Sequence, residues 1–156
     1  MATHSLRVQD RISALSTSYS QDTAFASGAI VLAGRILFSL LFVMSAFGHF
    51  SKQTIAFAGS QGVPFASLAV PLSGLLALAG GLSILLGYRA RLGAWLIVLF
   101  LLPVTLLMHK FWTISDPMMA QMQQIMFLKN VTMMGGALLI SQFGAGPVSL
   151  DNRRTR

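Results

Sequence analysis

Cysteine is absent from this 156-residue chain, and acidic residues number only four. The first absence excludes disulfide exchange, thiolate ligation of zinc or iron–sulfur clusters, and covalent thiol catalysis within the chain. It favours neither side of a membrane. The scarcity of charge, 10% of residues against 54% hydrophobic, argues against a soluble domain of this size, which would be poorly solvated. No nucleophile–base–acid set, Gly-rich phosphate loop or pair of carboxylates is present. Nor is there the pattern of a cleavable signal. Residues 1–27 are polar and rich in Ser and Thr, with no short apolar core ahead of a small-residue cleavage site.

What the chain has instead is long apolar runs, over about 28–48, 66–87, 92–109 and 121–143. A hydrocarbon core of about 30 Å needs roughly 20 apolar residues per helix. Inside lipid the backbone finds no water to bond, so each lone apolar run must be helical. The fold class is therefore all-α, an integral membrane four-helix transmembrane bundle. Its organisation is a polar N-terminal arm over 1–27, the bundle over 28–143 and a basic tail over 144–156. The first span doubles as an uncleaved signal anchor.

The net charge of +7 sorts by membrane side. Arg7 and Arg11 precede the first span, Arg89 and Arg91 separate the second and third, and Arg153, Arg154 and Arg156 follow the fourth. The other two connections carry only Lys52 and Lys110. Cytoplasmic loops hold the excess of Lys and Arg, so both termini are expected in the cytoplasm. The partner implied is the lipid bilayer, whose anionic head groups attract the tail with about 1 kcal/mol per charge. Without a basic–aromatic surface of useful size, nucleic acid is not a partner.

Ser73, Ala77 and Gly81 recur every four residues on one face of the second span. Small residues at that spacing let helix backbones approach closely, although small residues are common in membrane helices in any case. Pro103 should kink the third span. The connection over 49–65 reads as a loop punctuated by Gly59, Gly62 and Pro64. Trp112 suits an interfacial anchor.

Arg35 in the first span and Lys129 in the fourth are cations at membrane depth, and no Asp or Glu lies in any span to pair with them. Three solutions are open. The side chains could snorkel to water, bond backbone carbonyls and Ser, Asn or Gln, or line a pocket for an anionic or carbonyl-bearing ligand. Asn130 and the nearby Gln123 and Gln124 favour a partly wet site around Lys129. His109 ends the third span and His49 the first, on the same expected outer side, where they could meet. His109 suits a proton shuttle, a metal ligand or, more commonly, a satisfied interfacial side chain. Met118, Met122 and Met126 share a face, but gap-filling is commoner for Met than Cu(I) ligation, and no metal site is inferred.

Several short motifs together carry a resemblance. They are Gly34-Arg35-Ile36, Gly62-Val63-Pro64, Gly80-Gly81, Gly87 with Arg91, His109-Lys110-Phe111-Trp112, Lys129-Asn130, Gly135-Gly136, and the closing run from Gly144 to Asp151. In this order, over about 30–151, the chain resembles the DoxX family of small bacterial inner-membrane proteins. That resemblance implies a multi-pass protein of the bacterial inner membrane, associated with membrane redox assemblies. It singles out Arg35, His109, Trp112, Lys129, Asn130 and Asp151. One departure is visible: Ala77 stands where many relatives have a Glu, which weakens any proton-coupled mechanism.

The expected function is an accessory subunit of a redox- or quinone-linked assembly, not catalytic alone. Its candidate pocket is Arg35, Lys129, Asn130, His109 and Trp112, with quinone as the ligand and a redox protein or a second copy as partner. The alternatives are a quinone-reducing oxidoreductase subunit, a small-solute or lipid transporter, and a membrane scaffold. The topology has a direct check: cysteines placed at Ser51 and Thr155 should react with an impermeant thiol reagent from opposite sides. Labelling from one side would overturn the charge argument.

Overall fold

The computed structural model describes Arg11 and residues 26–154. Most of the arm read over 1–27, and the last two residues of the tail, lie outside the described residues. Those described contain no strand. The four apolar runs fold as four helices long and apolar enough to cross a membrane, Ala26–Phe50, Ala66–Leu86, Ala90–Thr113 and Pro117–Phe143. We label the helices α1 (Ala26–Phe50), α2 (Lys52–Ser60), α3 (Ala66–Leu86), α4 (Ala90–Met108), α5 (Pro117–Phe143) and α6 (Leu150–Arg154). The tight turns Phe47–Phe50 and Phe111–Thr113 close the first and third spans.

The sequence expectation of a loop over 49–65 needs correction, because α2 occupies most of it. Ser51 caps this helix, its hydroxyl accepting from the Thr54 N–H at 3.1 Å. Gly59 lies inside the helix, whereas Gly62 (φ +83°) and Phe65 (φ +49°) take left-handed conformations. The other boundaries follow familiar chemistry. Gly87 (φ +64°) ends α3, with Tyr88 N–H reaching back to the Ser83 carbonyl and Gly87 N–H to that of Ile84. Asp116 caps α5 by accepting from Met119 N–H at 2.8 Å, and Pro117 follows at the first helical position.

The interior is thin. Phe42, Ala46, Ala77, Ile84, Ala94, Ile97, Phe100, Leu101 and Ala137 form one cluster from α1, α3, α4 and α5. Large apolar side chains such as Leu37, Leu72, Leu99 and Leu139 point outward and are half or more exposed, as hydrocarbon surroundings require. Lipid is as apolar as leucine, so close packing rather than water exclusion holds such helices together.

Helix α3 supplies that closeness on two faces. Toward α1, Ala77 is fully buried, a Cβ on Gly81 would sit 3.2 Å from Phe42 Cβ, and one on Gly74 would sit 2.7 Å from His49 Cβ. Toward α4, a Cβ on Gly80 would lie 2.9 Å from the Gly93 carbonyl oxygen, while Gly93 itself is pressed against Ser83. Ala77 and Gly81 of the expected small-residue stripe thus face inward. Ser73 is partly buried, and its hydroxyl donates to the Val70 carbonyl at 2.7 Å.

Substituting Gly93→Leu should overpack the α3–α4 contact and cost about 1–3 kcal/mol. Gly135→Ala, where nothing lies within 4 Å of the new carbon, should leave stability unchanged or raise it by up to about 1 kcal/mol. Thermal unfolding in detergent separates the two, and equal effects would refute the close-approach account.

Candidate functional site

The bundle has two chemically different ends. At the basic end the tail folds back over the α3–α4 turn and the start of α1. Arg35 is 4% exposed. Its guanidinium donates through Nη1 to the Ala145 carbonyl at 2.5 Å and through Nη2 to the Leu85 carbonyl at 3.3 Å. Asp151 accepts from Arg89 N–H at 2.7 Å and Ala90 N–H at 3.1 Å, capping α4 from the tail, and its own N–H donates to the Gly87 carbonyl at 2.8 Å. Gly87 is small because it must be: a Cβ there would lie 2.7 Å from Arg35 Nη1.

The far end is hollow. A cavity of about 320 Å³ lies between the end of α1, α2, the Val63–Pro64 loop, α3 and α4. Its walls are apolar apart from His49, Thr54, Ser73 and His109. The His49 ring stands 5.5 Å from that of Phe100, and its Nδ1 is buried without a partner. His109 Nδ1 lies 2.7 Å from Gln123 Oε1. With the amide oxygen accepting, Nδ1 carries the proton and Nε2 keeps a lone pair. Lys110 donates to the Gln61 carbonyl at 2.9 Å, tying the α4–α5 connection to the end of α2.

The structure separates the residues that sequence reasoning placed in one pocket. Arg35 belongs to the basic end. Lys129 is exposed on α5, and its ammonium contacts Met126 Sδ on the same helix at 3.3 Å. Asn130 is 5% exposed and faces the interior. Trp112 is 56% exposed, with its ring 5.1 Å from Phe111 and 5.9 Å from Phe127. None of these four lines the far cavity, whereas His109 does. Along α5, Lys129 lies about 3 Å beyond Phe127, whose ring stands 5.9 Å from that of Trp112.

The cavity brings His49 and His109 to one site. Sequence reasoning missed Thr54, Ser73 and Pro103 as its lining. Pro103 carried the one usable signal, since a proline inside a span frees a carbonyl and bends the helix away from its neighbour. Among the described residues no three His, Asp or Glu side chains group as metal ligands would.

Four spans and an interior this thin define an integral membrane bundle rather than a soluble enzyme. The sequence model of the SURF4 family matches residues 5–156, and the chain belongs to that family. It is 34% identical over 123 residues to the inner membrane protein YqjF of Escherichia coli K12, covering 78% of this chain and 88% of that one. It is also 28% identical over 134 residues to the inner membrane protein YphA of the same organism, covering 85% and 95%. No solved structure matches. The protein is therefore an integral inner-membrane protein of the SURF4 family, and the DoxX assignment is corrected. The structure shows why those motifs misled. Gly80, Gly81, Gly87 and Asp151 serve close packing, turns and a helix cap, so they report architecture rather than family.

If Asp151 caps α4 as described, Asp151→Ala should lower stability by about 1 kcal/mol and loosen the tail, with Asp151→Asn losing less. Thermal unfolding and protease sensitivity of the tail read this out, and an unchanged Asp151→Ala protein would refute the capping role.

Proposed function

We propose that the chain is a non-catalytic ligand-holding subunit of the inner membrane. Its far cavity would accommodate a lipid-soluble, carbonyl-bearing ring of the quinone class and serve a redox assembly in the same membrane. The observation that carries this reading is the partnerless Nδ1 of His49 beside an apolar cavity of about 320 Å³. Most buried polar atoms in native proteins are satisfied; Arg35 Nε and Ser39 Oγ are also unpartnered here, but only His49 of the three lines this cavity. Ligand sites combine apolar walls with a few convergent polar groups, at volumes from about 300 Å³ upward.

A quinone fits that description. Its ring matches the apolar walls, and a carbonyl oxygen would take the imidazole N–H of His49. The reduced form, which carries hydroxyls, could donate to the Nε2 lone pair of His109. Arg35 takes no part, since its two terminal nitrogens already donate to Ala145 and Leu85. No electron carrier is required of this chain, so any electron transfer falls to a partner.

The test is equilibrium binding of a short-chain benzoquinone to the purified protein in nanodiscs. His49→Leu should weaken binding about tenfold, the loss of one hydrogen bond of roughly 1.4 kcal/mol, and Lys129→Met should leave it unchanged. Absence of binding to the wild type, or dependence on Lys129 instead of His49, would sink this reading.

A further inference from the structure

We propose a second site at the opposite end, a binding site for the phosphate of an anionic phospholipid in the cleft between the α3–α4 turn and the tail. The cleft has a volume of about 690 Å³ and is lined by Arg89, Arg91 and Leu92 on one side and by Gly144, Gly146 and Asn152 on the other.

The charge on the cleft is not balanced from within. Asp151 is the carboxylate on its wall, and both of its oxygens are held by the backbone N–H groups of Arg89 and Ala90. Arg89 lies over the Tyr88 ring, 5.8 Å from its centroid. Arg91 reaches across the end of α5, with its Nε 3.5 Å from where a Gly144 Cβ would stand. Two guanidiniums flanking one cleft match a phosphate, which each can bond through paired N–H groups.

The surroundings identify the phosphate as that of a lipid. The cleft sits where the spans end, so a head group would lie at its natural depth. Leu92, on its wall, is 58% exposed. Trp95 follows Arg91 by four residues on the same face of α4 and is also largely exposed. An anion held at Arg91 therefore has apolar surface directly below it, where an acyl chain runs. A soluble phosphate would gain nothing from that surface.

The experiment is native mass spectrometry of the full-length protein released from nanodiscs of equal phosphatidylcholine and phosphatidylglycerol. The wild type should retain phosphatidylglycerol selectively. Arg89→Gln with Arg91→Gln should lower that selectivity roughly thirtyfold, at about fivefold per charge, while Lys52→Gln at the far end should not change it. Replacing both arginines by Lys should fall between wild type and the Gln double variant, because the charge stays while the paired N–H groups are lost, and high salt should weaken selectivity in the wild type, a readout independent of how the variants fold. Undiminished selectivity in the Gln double variant, or displacement of the lipid by millimolar inorganic phosphate, would overturn the proposal.

Discussion

Everything in this bundle depends on how closely α3 lets its neighbours approach. Water does not drive helices together inside lipid, so dispersion between closely fitted surfaces must do so. Helix α3 presents small residues at its close contacts: Gly74, Ala77 and Gly81 toward α1, and Gly80 and Ser83 toward α4. Helix α4 answers with Gly93. Larger side chains at these points would push the helices apart and thin an interior that is already small. Helix α5 shows the contrast. It has fewer small contacts, and Asn130 and Ala137 are its two fully buried residues.

The second constraint is electrostatic. A chain with no acidic residue in its spans must settle Arg35 by other means. It brings carbonyls instead, from the last turn of α3 and from the tail after α5. Those carbonyls lack helical partners where helices end, so one guanidinium meets needs the backbone already has. Asp151 makes the reciprocal arrangement, an anion meeting the orphan N–H groups at the start of α4. The tail is thus fastened by a cation on α1 and by its own anion, and the basic end closes as a unit.

Much of the fold was legible in the sequence because one strong physical rule sets it. Twenty apolar residues in lipid must be helical, and four such runs leave few arrangements. The connection 49–65 was less legible, since α2 rests on one capping serine while two glycines and a proline suggested irregular chain. The candidate site was least legible. Arg35 and Lys129 stood out because charge at membrane depth is costly, but cost says only that a solution exists. For Arg35 the solution is the carbonyls of Leu85 and Ala145, distant in sequence from it. Lys129 instead stands exposed on α5 beside Met126. A cavity has no residue signature of its own, because it is made by what the helices leave unfilled.

The two ends divide the labour of the molecule. At the basic end Gly87 is forced small by Arg35, and cap, guanidinium and tail interlock. At the far end Pro103 lines the cavity, α2 borders it, and Lys110 donates to the Gln61 carbonyl just after α2. That part-buried hydrogen bond contributes about 1 kcal/mol, and the buried Ala58 of α2 adds packing to it. The basic end is thus fastened by cap, guanidinium and tail together, and the apolar cavity lies at the opposite end.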